Sequence, residues 1–292
     1  MRTFLALLVA GAILPASAPA QSPTPLPFAG FELASAPVLN DPHDLAMGPD
    51  GMLYIADKFG HRIVVMDPDT LEVVSEFGTG QLPGVHDISF GPDGLAYAAV
   101  TGLSRVDAFK ITEEGAELVG SYGGLPNTEG ALAHPNGRIY AMASGTGQLV
   151  AIENNSAVAF AGGMIGAHDV AAAPDGSVWV ADNRGRRLVN FDEDLGFIRE
   201  ISDPKFGLIG PRYLDVDEFG RLVVADQDAH RVLFIDPAAE AGGALLGVIG
   251  DGVPGIGPGK FDDPEGALVV GSRFFFSDSD NNRIVRYAVV MN

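Results

Sequence analysis

The chain has 292 residues, 47% of them hydrophobic, and carries 18 Lys and Arg against 38 Asp and Glu, a formal net charge of −20. That balance repels phosphate backbones and anionic lipid, and so argues against a nucleic-acid partner. There is no cysteine, which removes thiol nucleophiles, thiolate zinc sites and disulfide staples from consideration.

The first twenty residues read as a secretory signal peptide. Arg2 precedes an apolar run from Phe4 to Leu14, and Ala18-Pro19-Ala20 fits a small-x-small cleavage site. The run is too short to span a bilayer, no other stretch reaches spanning length, and no membrane insertion is expected. Cleavage after Ala20 predicts a periplasmic or secreted protein. Residues 21–26 read as a flexible, proline-rich leader, with one domain over residues 27–292. Phe31–Val38 then alternates like a strand.

From Pro42 the chain repeats itself six times. PHDLAMGPDGMLYIAD begins at Pro42 and VHDISFGPDGLAYAAV at Val85. TEGALAHPNGRIYAMA begins at Thr128, AHDVAAAPDGSVWVAD at Ala167, PRYLDVDEFGRLVVAD at Pro211 and PEGALVVGSRFFFSDS at Pro264. Equivalent positions are 43, 43, 39, 44 and 53 residues apart. A period in the low forties, made of short β-rich runs between Gly turns, predicts an all-β, six-bladed β-propeller. Each copy parses into strands a to d; in the first these are Leu45–Met47, Met52–Ala56, Arg62–Met66 and Glu72–Phe77. The sixth copy has no strand d, so Phe31–Val38 is expected to close the last blade from the N-terminus. An Asp–Arg pair at fixed spacing recurs at the b–c turn: Asp57/Arg62, Asp182/Arg187, Asp226/Arg231 and Asp278/Arg283. Four copies argue for a structural clasp rather than catalysis.

The second residue of each copy should ring the channel mouth: His43, His86, Glu129, His168, Arg212 and Glu265. Imidazole and carboxylate at convergent positions suit a divalent metal, zinc or calcium, with His43, His86, Glu129, His168 and Glu265 as ligands. Asp44, Asp87 and Asp169 follow as candidate ligand-binding residues. Arg212 is placed to orient an anion or polarise a carbonyl. The alternative is that these side chains only bond strand ends.

The pattern P-x-D-[LIV]-A-x-x-P-D-G-x-[LV]-Y-[IV]-A-D-x-x-x-x-R-[IV] resembles the NHL repeat, and Gly250–Gly266 resembles the Gly-rich linker before such repeats. Phe206 and Phe261 fall at matching points of two linkers, as plugs between blades. More distantly, the His43 and His168 segments look similar to the peptidyl-hydroxyglycine amidating lyases. That resemblance implies zinc on His43, His86 and His168, with Arg212 or Tyr213 assisting as catalytic residues at the hydroxyl. Glu129-Gly130 and Glu265-Gly266 resemble the opening motif of the gluconolactonase/senescence-marker propellers, which hold calcium. The expectation is a monomer that binds a small molecule, peptide or protein at its channel face, with a metal-dependent lyase or hydrolase as the alternative.

Overall fold

The structure, a computed structural model, describes residues 29–113 and 115–289. The expected signal peptide and leader lie outside the described residues. Six four-stranded antiparallel sheets form the blades of a β-propeller. From the channel outward, blade 1 runs through Pro42–Met47, Leu53–Asp57, Arg62–Met66 and Val73–Phe77. The inner strands of blades 2 to 6 are Val85–Phe90, Thr128–Ala133, Ala167–Ala172, Pro211–Val216 and Pro264–Val270. Strand direction alternates, so b–c turns and inter-blade linkers share one face, called upper here. The a–b and c–d turns share the lower face. The only helical turns among the described residues are short: Thr101–Leu103 and Gln227–Ala229, both in b–c turns. No helix is long and apolar enough to cross a membrane.

Second strands are apolar at nearly every position because neighbouring blades cover both of their faces. Leu53-Tyr-Ile-Ala-Asp57 is buried throughout. The Pro-Asp-Gly turns are held locally. Asp50 accepts from the Met52 amide at 3.1 Å and the Tyr54 hydroxyl at 2.9 Å, with Gly51 at φ 79°. Six apolar clusters hold the blades together, each reaching from one blade to the next. Phe206 and Phe261 are buried in two of them, as the linker comparison predicts.

The N-terminal strand closes blade 6, pairing antiparallel with Arg283–Val289 from Ala29↔Val289 to Ala34↔Val285. It spans Ala29–Ala34 and stops short of the expected Val38. Pro37 has no amide proton to continue a ladder. Ser35 ends it by exchanging bonds with Ile284, its amide donating to the Ile284 carbonyl at 2.8 Å and its hydroxyl accepting the Ile284 amide at 3.0 Å.

All four repeated Asp–Arg pairs form. Nε–Oδ2 distances are 2.7 Å for Arg62–Asp57, 2.9 Å for Arg187–Asp182, 3.0 Å for Arg231–Asp226 and 2.7 Å for Arg283–Asp278. Each Asp is fully buried. Its second oxygen accepts an amide from the incoming linker: Asn40, Ile165, Ile209 or Asp262, at 2.6 to 2.9 Å. One carboxylate thereby ties a b–c turn to the linker entering the same blade. This clasp positions the upper face.

Candidate functional site

The linkers deliver the second residue of every inner strand to the upper end of the channel. His43, His86, Glu129, His168 and Glu265 are buried there, and Arg212 is half-buried. They resolve into two acid–histidine pairs rather than one uniform ring. His43 Nε2 lies 2.5 Å from Glu265 Oε2, across the seam between blades 1 and 6. His168 Nε2 lies 2.5 Å from Glu129 Oε2, between blades 4 and 3. Arg212, from blade 5, sits 3.6 Å from Glu265 and also acts electrostatically on Glu129. Its Nη1 donates to Gln227 at 2.9 Å.

All three histidines are oriented alike by their other nitrogen. His86 Nδ1 and His168 Nδ1 donate to the carbonyls of Gly84 and Gly166 at 2.7 and 2.8 Å. His43 Nδ1 donates to the Tyr213 hydroxyl at 3.1 Å, and that hydroxyl donates to the His86 carbonyl at 3.1 Å. Nδ1 therefore carries a proton in each ring. Thr101 reinforces this: its hydroxyl donates to the Thr128 carbonyl and takes a bond from His86 Nδ1 at 2.7 Å.

Burial lowers the pKa of His86 and His168, His43 lowers His86 further, and Arg212 adds to both. For Glu129 and Glu265 burial opposes ionisation. The facing histidine and Arg212 outweigh it and hold both carboxyls below the usual range. At the His168–Glu129 pair an imidazole of lowered pKa thus faces an ionised carboxylate at 2.5 Å. His43 Nε2, Glu265 Oε2 and Glu129 Oε2 are buried without a hydrogen-bond partner. Two acceptors at that distance repel unless a cation or a proton lies between them.

Asp41 completes one such cluster. Its Oδ2 is 3.4 Å from His43 Nε2 and 2.9 Å from Lys58 Nζ. Burial opposes its ionisation, but His43 and Lys58 keep its carboxyl far below the ordinary value. Among the described residues, Asp41, His43 and Glu265 are the one set of His, Asp and Glu side chains whose ligating atoms all lie within 4.8 Å of one another. Its two carboxylate oxygens and an imidazole nitrogen are a donor set that fits a divalent metal.

Asp44, Asp87 and Asp169 point elsewhere. Tyr213 is fully buried, and its hydroxyl reaches from blade 5 to His43 and His86 of blades 1 and 2. It fills the channel below the mouth. On its other side the three aspartates and Asp215 line a cavity of about 540 Å³ that opens on the lower face. Asp87 accepts the Ala131 amide of blade 3 at 2.6 Å, and Asp169 accepts the Leu214 amide of blade 5 at 2.7 Å. Asp215 accepts the Val269 amide of blade 6 at 2.7 Å. These carboxyls stitch inner strands together. Burial raises all four, with mutual repulsion adding at Asp44 and Asp169; Asp87 and Asp215 are pushed up to about 6.

The glycines after Glu129 and Glu265 have a packing reason. A Cβ on Gly130 would stand 2.6 Å from the His168 carbonyl oxygen, and one on Gly266 would stand 2.3 Å from that of His43. Only glycine lets the next inner strand come so close, and that approach sets each His against its Glu.

Sequence reasoning missed a second ring. The residue opening each b–c turn is Lys58, Thr101, Ser144, Asn183, Gln227 or Ser279. Gln227 donates to Glu265 at 2.7 Å and Asp263 at 2.8 Å, and Ser279 donates to the Pro42 carbonyl at 2.5 Å. Asn183 Nδ2 is buried and unpartnered. The signal was present, since these positions recur with nearly the same spacing as the first ring, but their residue types vary too much to stand out.

Fold and site together define a six-bladed β-propeller with a polar, histidine-lined channel mouth. More specifically, the chain belongs to the family described as a domain of unknown function, DUF5074, whose model matches residues 43–205. No curated protein matches it. Among solved structures it is similar to virginiamycin B lyase from Staphylococcus aureus, at 14% identity and TM-score 0.60 over 86% of this chain and 96% of that one. It is similar to a PQQ-bound aldose sugar dehydrogenase from Streptomyces coelicolor, at 15% identity and TM-score 0.67 over 92% and 100%. An auxiliary nutrient binding protein from Bacteroides thetaiotaomicron aligns at 16% identity and TM-score 0.69 over 86% and 69%. At these identities the likeness is one of fold.

Proposed function

We propose that this protein is an exported, NHL-type propeller that binds a ligand at the upper channel mouth through a divalent metal held by Asp41, His43 and Glu265. The observation that carries the reading is the Nδ1–H geometry that the three histidines share. His43 and His168 turn Nε2 on carboxylates, with the outer hydrogen bond that orients metal-ligating imidazoles already made. Imidazole donors favour zinc over calcium. Export rests on Arg2, the Phe4–Leu14 run and the Ala18–Ala20 site. Ligand binding accords with similar propellers whose names record it: a nutrient binding protein, and a lyase structure holding quinupristin.

The test is metal content. Natively purified protein should carry close to one zinc per chain. His43→Ala and Glu265→Gln should lose it, whereas His134→Ala, in an a–b turn on the lower face, should keep it. Metal-free protein that takes up no zinc at neutral pH sinks the reading.

A lyase or hydrolase is the second reading, and the His168–Glu129 pair favours it. His168 is a neutral base beside the Arg212 guanidinium and apart from the metal cluster. The lyase neighbour was also solved as a catalytically inactive histidine-to-alanine variant. Turnover lost in His168→Ala with zinc retained is the expected sign.

A further inference from the structure

The upper face surrounds this polar mouth with exposed apolar side chains. Phe59 is 55% exposed, Leu103 41%, Ile165 61%, Ile209 43%, Val253 55% and Ile256 69%. Every one stands in a b–c turn or an inter-blade linker, and together they belong to five of the six blades. The lower face is different. Among the described residues Phe219 is its only exposed large apolar side chain in a turn. Exposed turns are ordinarily polar, so apolar residues concentrated on one face mark a contact surface. The clasps hold it in place, since the Ile165 and Ile209 amides are bonded to Asp182 and Asp226.

Inside this collar lie unpartnered polar atoms: His43 Nε2, Glu265 Oε2, Arg212 Nε and Asn183 Nδ2. Asn183 is 8% exposed and opens the blade 4 turn, at the position equivalent to Gln227, whose amide does reach a partner. Its amide is a donor without an acceptor beside the mouth.

We infer that the mouth takes an apolar organic molecule bearing one small oxygen-rich head, with the head on the metal and the body lying against the collar. This rests on the metal-site reading above and adds the chemical class of the ligand. A polar sugar would leave the collar unused, and an all-apolar molecule would leave the buried donors and acceptors unpaired.

The probe is a straight-chain alkyl hydroxamate series, from acetohydroxamate to decanohydroxamate, titrated calorimetrically into the zinc-loaded full chain. Each added methylene should tighten binding about fourfold until the collar is spanned. The double variant Ile165→Ser, Ile256→Ser, altered only at exposed positions, should weaken the long members at least tenfold. It should leave zinc content and acetohydroxamate affinity unchanged. A flat series with acetohydroxamate bound overturns the collar and leaves the metal standing. Zinc that fails to load overturns the metal reading instead. The collar is then judged by alkyl carboxylates in metal-free protein, where the same slope and the same loss in the double variant support it and a flat series ends it. A dimer that the double variant dissociates assigns the face to a second copy and overturns the proposal.

Discussion

His43, His86 and His168 ring the upper mouth, while Asp44, Asp87 and Asp169, one residue further along the same strands, line the lower half of the channel. Neighbours in sequence thus serve opposite environments. At the mouth, Glu129 and Glu265 are held below the usual carboxylate range and His86 and His168 below the usual imidazole value, with polar atoms left unpartnered. Below Tyr213, carboxyls are pushed toward protonation, and Asp87, Asp169 and Asp215 each bond a neighbouring blade's amide. The difference teaches what distinguishes a site from scaffold here. Both hold buried charge, but only the mouth holds atoms whose partner is missing.

Tyr213 separates the two halves, so its removal is the strongest way to break the comparison. Tyr213→Ala should join them and cost about 3–5 kcal/mol in chemical denaturation. Tyr213→Phe should cost only about 1 kcal/mol, the worth of its hydroxyl bonds. Equal losses would show that the ring itself divides nothing.

Metal sharpens the comparison next. Free zinc at a hundredfold its Kd should stabilise the protein by about 2.7 kcal/mol. Glu265→Gln at the mouth should abolish that gain, and Asp215→Asn in the lower half should not. Zinc stabilisation that survives Glu265→Gln would move the site away from the mouth.

The clasps supply a control outside both halves. Asp182→Ala loses a buried charge-assisted bond and a linker tie, and should lower stability by about 1–3 kcal/mol with zinc affinity intact. Zinc affinity lost at unchanged stability would place Asp182 in the site instead.

The smallest effect, and the most discriminating, is in pH. Asp87 and Asp215 have folded pKa values raised to about 6 from 3.8. Their contribution is full below about pH 4 and is lost as pH rises through 6. The mouth runs the other way. His86 and His168 are lowered in the fold, so their contribution is present above pH 6.5 and is lost as pH falls through their folded values. In melting curves from pH 4 to 8, Asp215→Asn should flatten the decline between pH 4 and 6. His86→Asn should flatten the decline on the acid side of pH 6.5. Identical profiles for both variants would erase the distinction between the halves.

The repeat period by itself determined the architecture. Six copies at near-constant spacing admit one ring, and a sixth copy short of a strand admits one closure, because an unpaired edge needs a partner. The same period brought His43, His86, Glu129, His168, Arg212 and Glu265 to one level of the channel, and the recurring Asp–Arg spacing announced the clasps. Tertiary structure alone decided the rest. His-Asp occurs three times in sequence, yet successive strand residues point to opposite sides, sending His to the mouth and Asp to the neighbouring blade. Gly130 and Gly266 set which His meets which Glu, by how closely two strands approach. Asp41 joined the cluster from a linker whose path is set by the Asn40–Asp57 bond, a geometry no local pattern encodes.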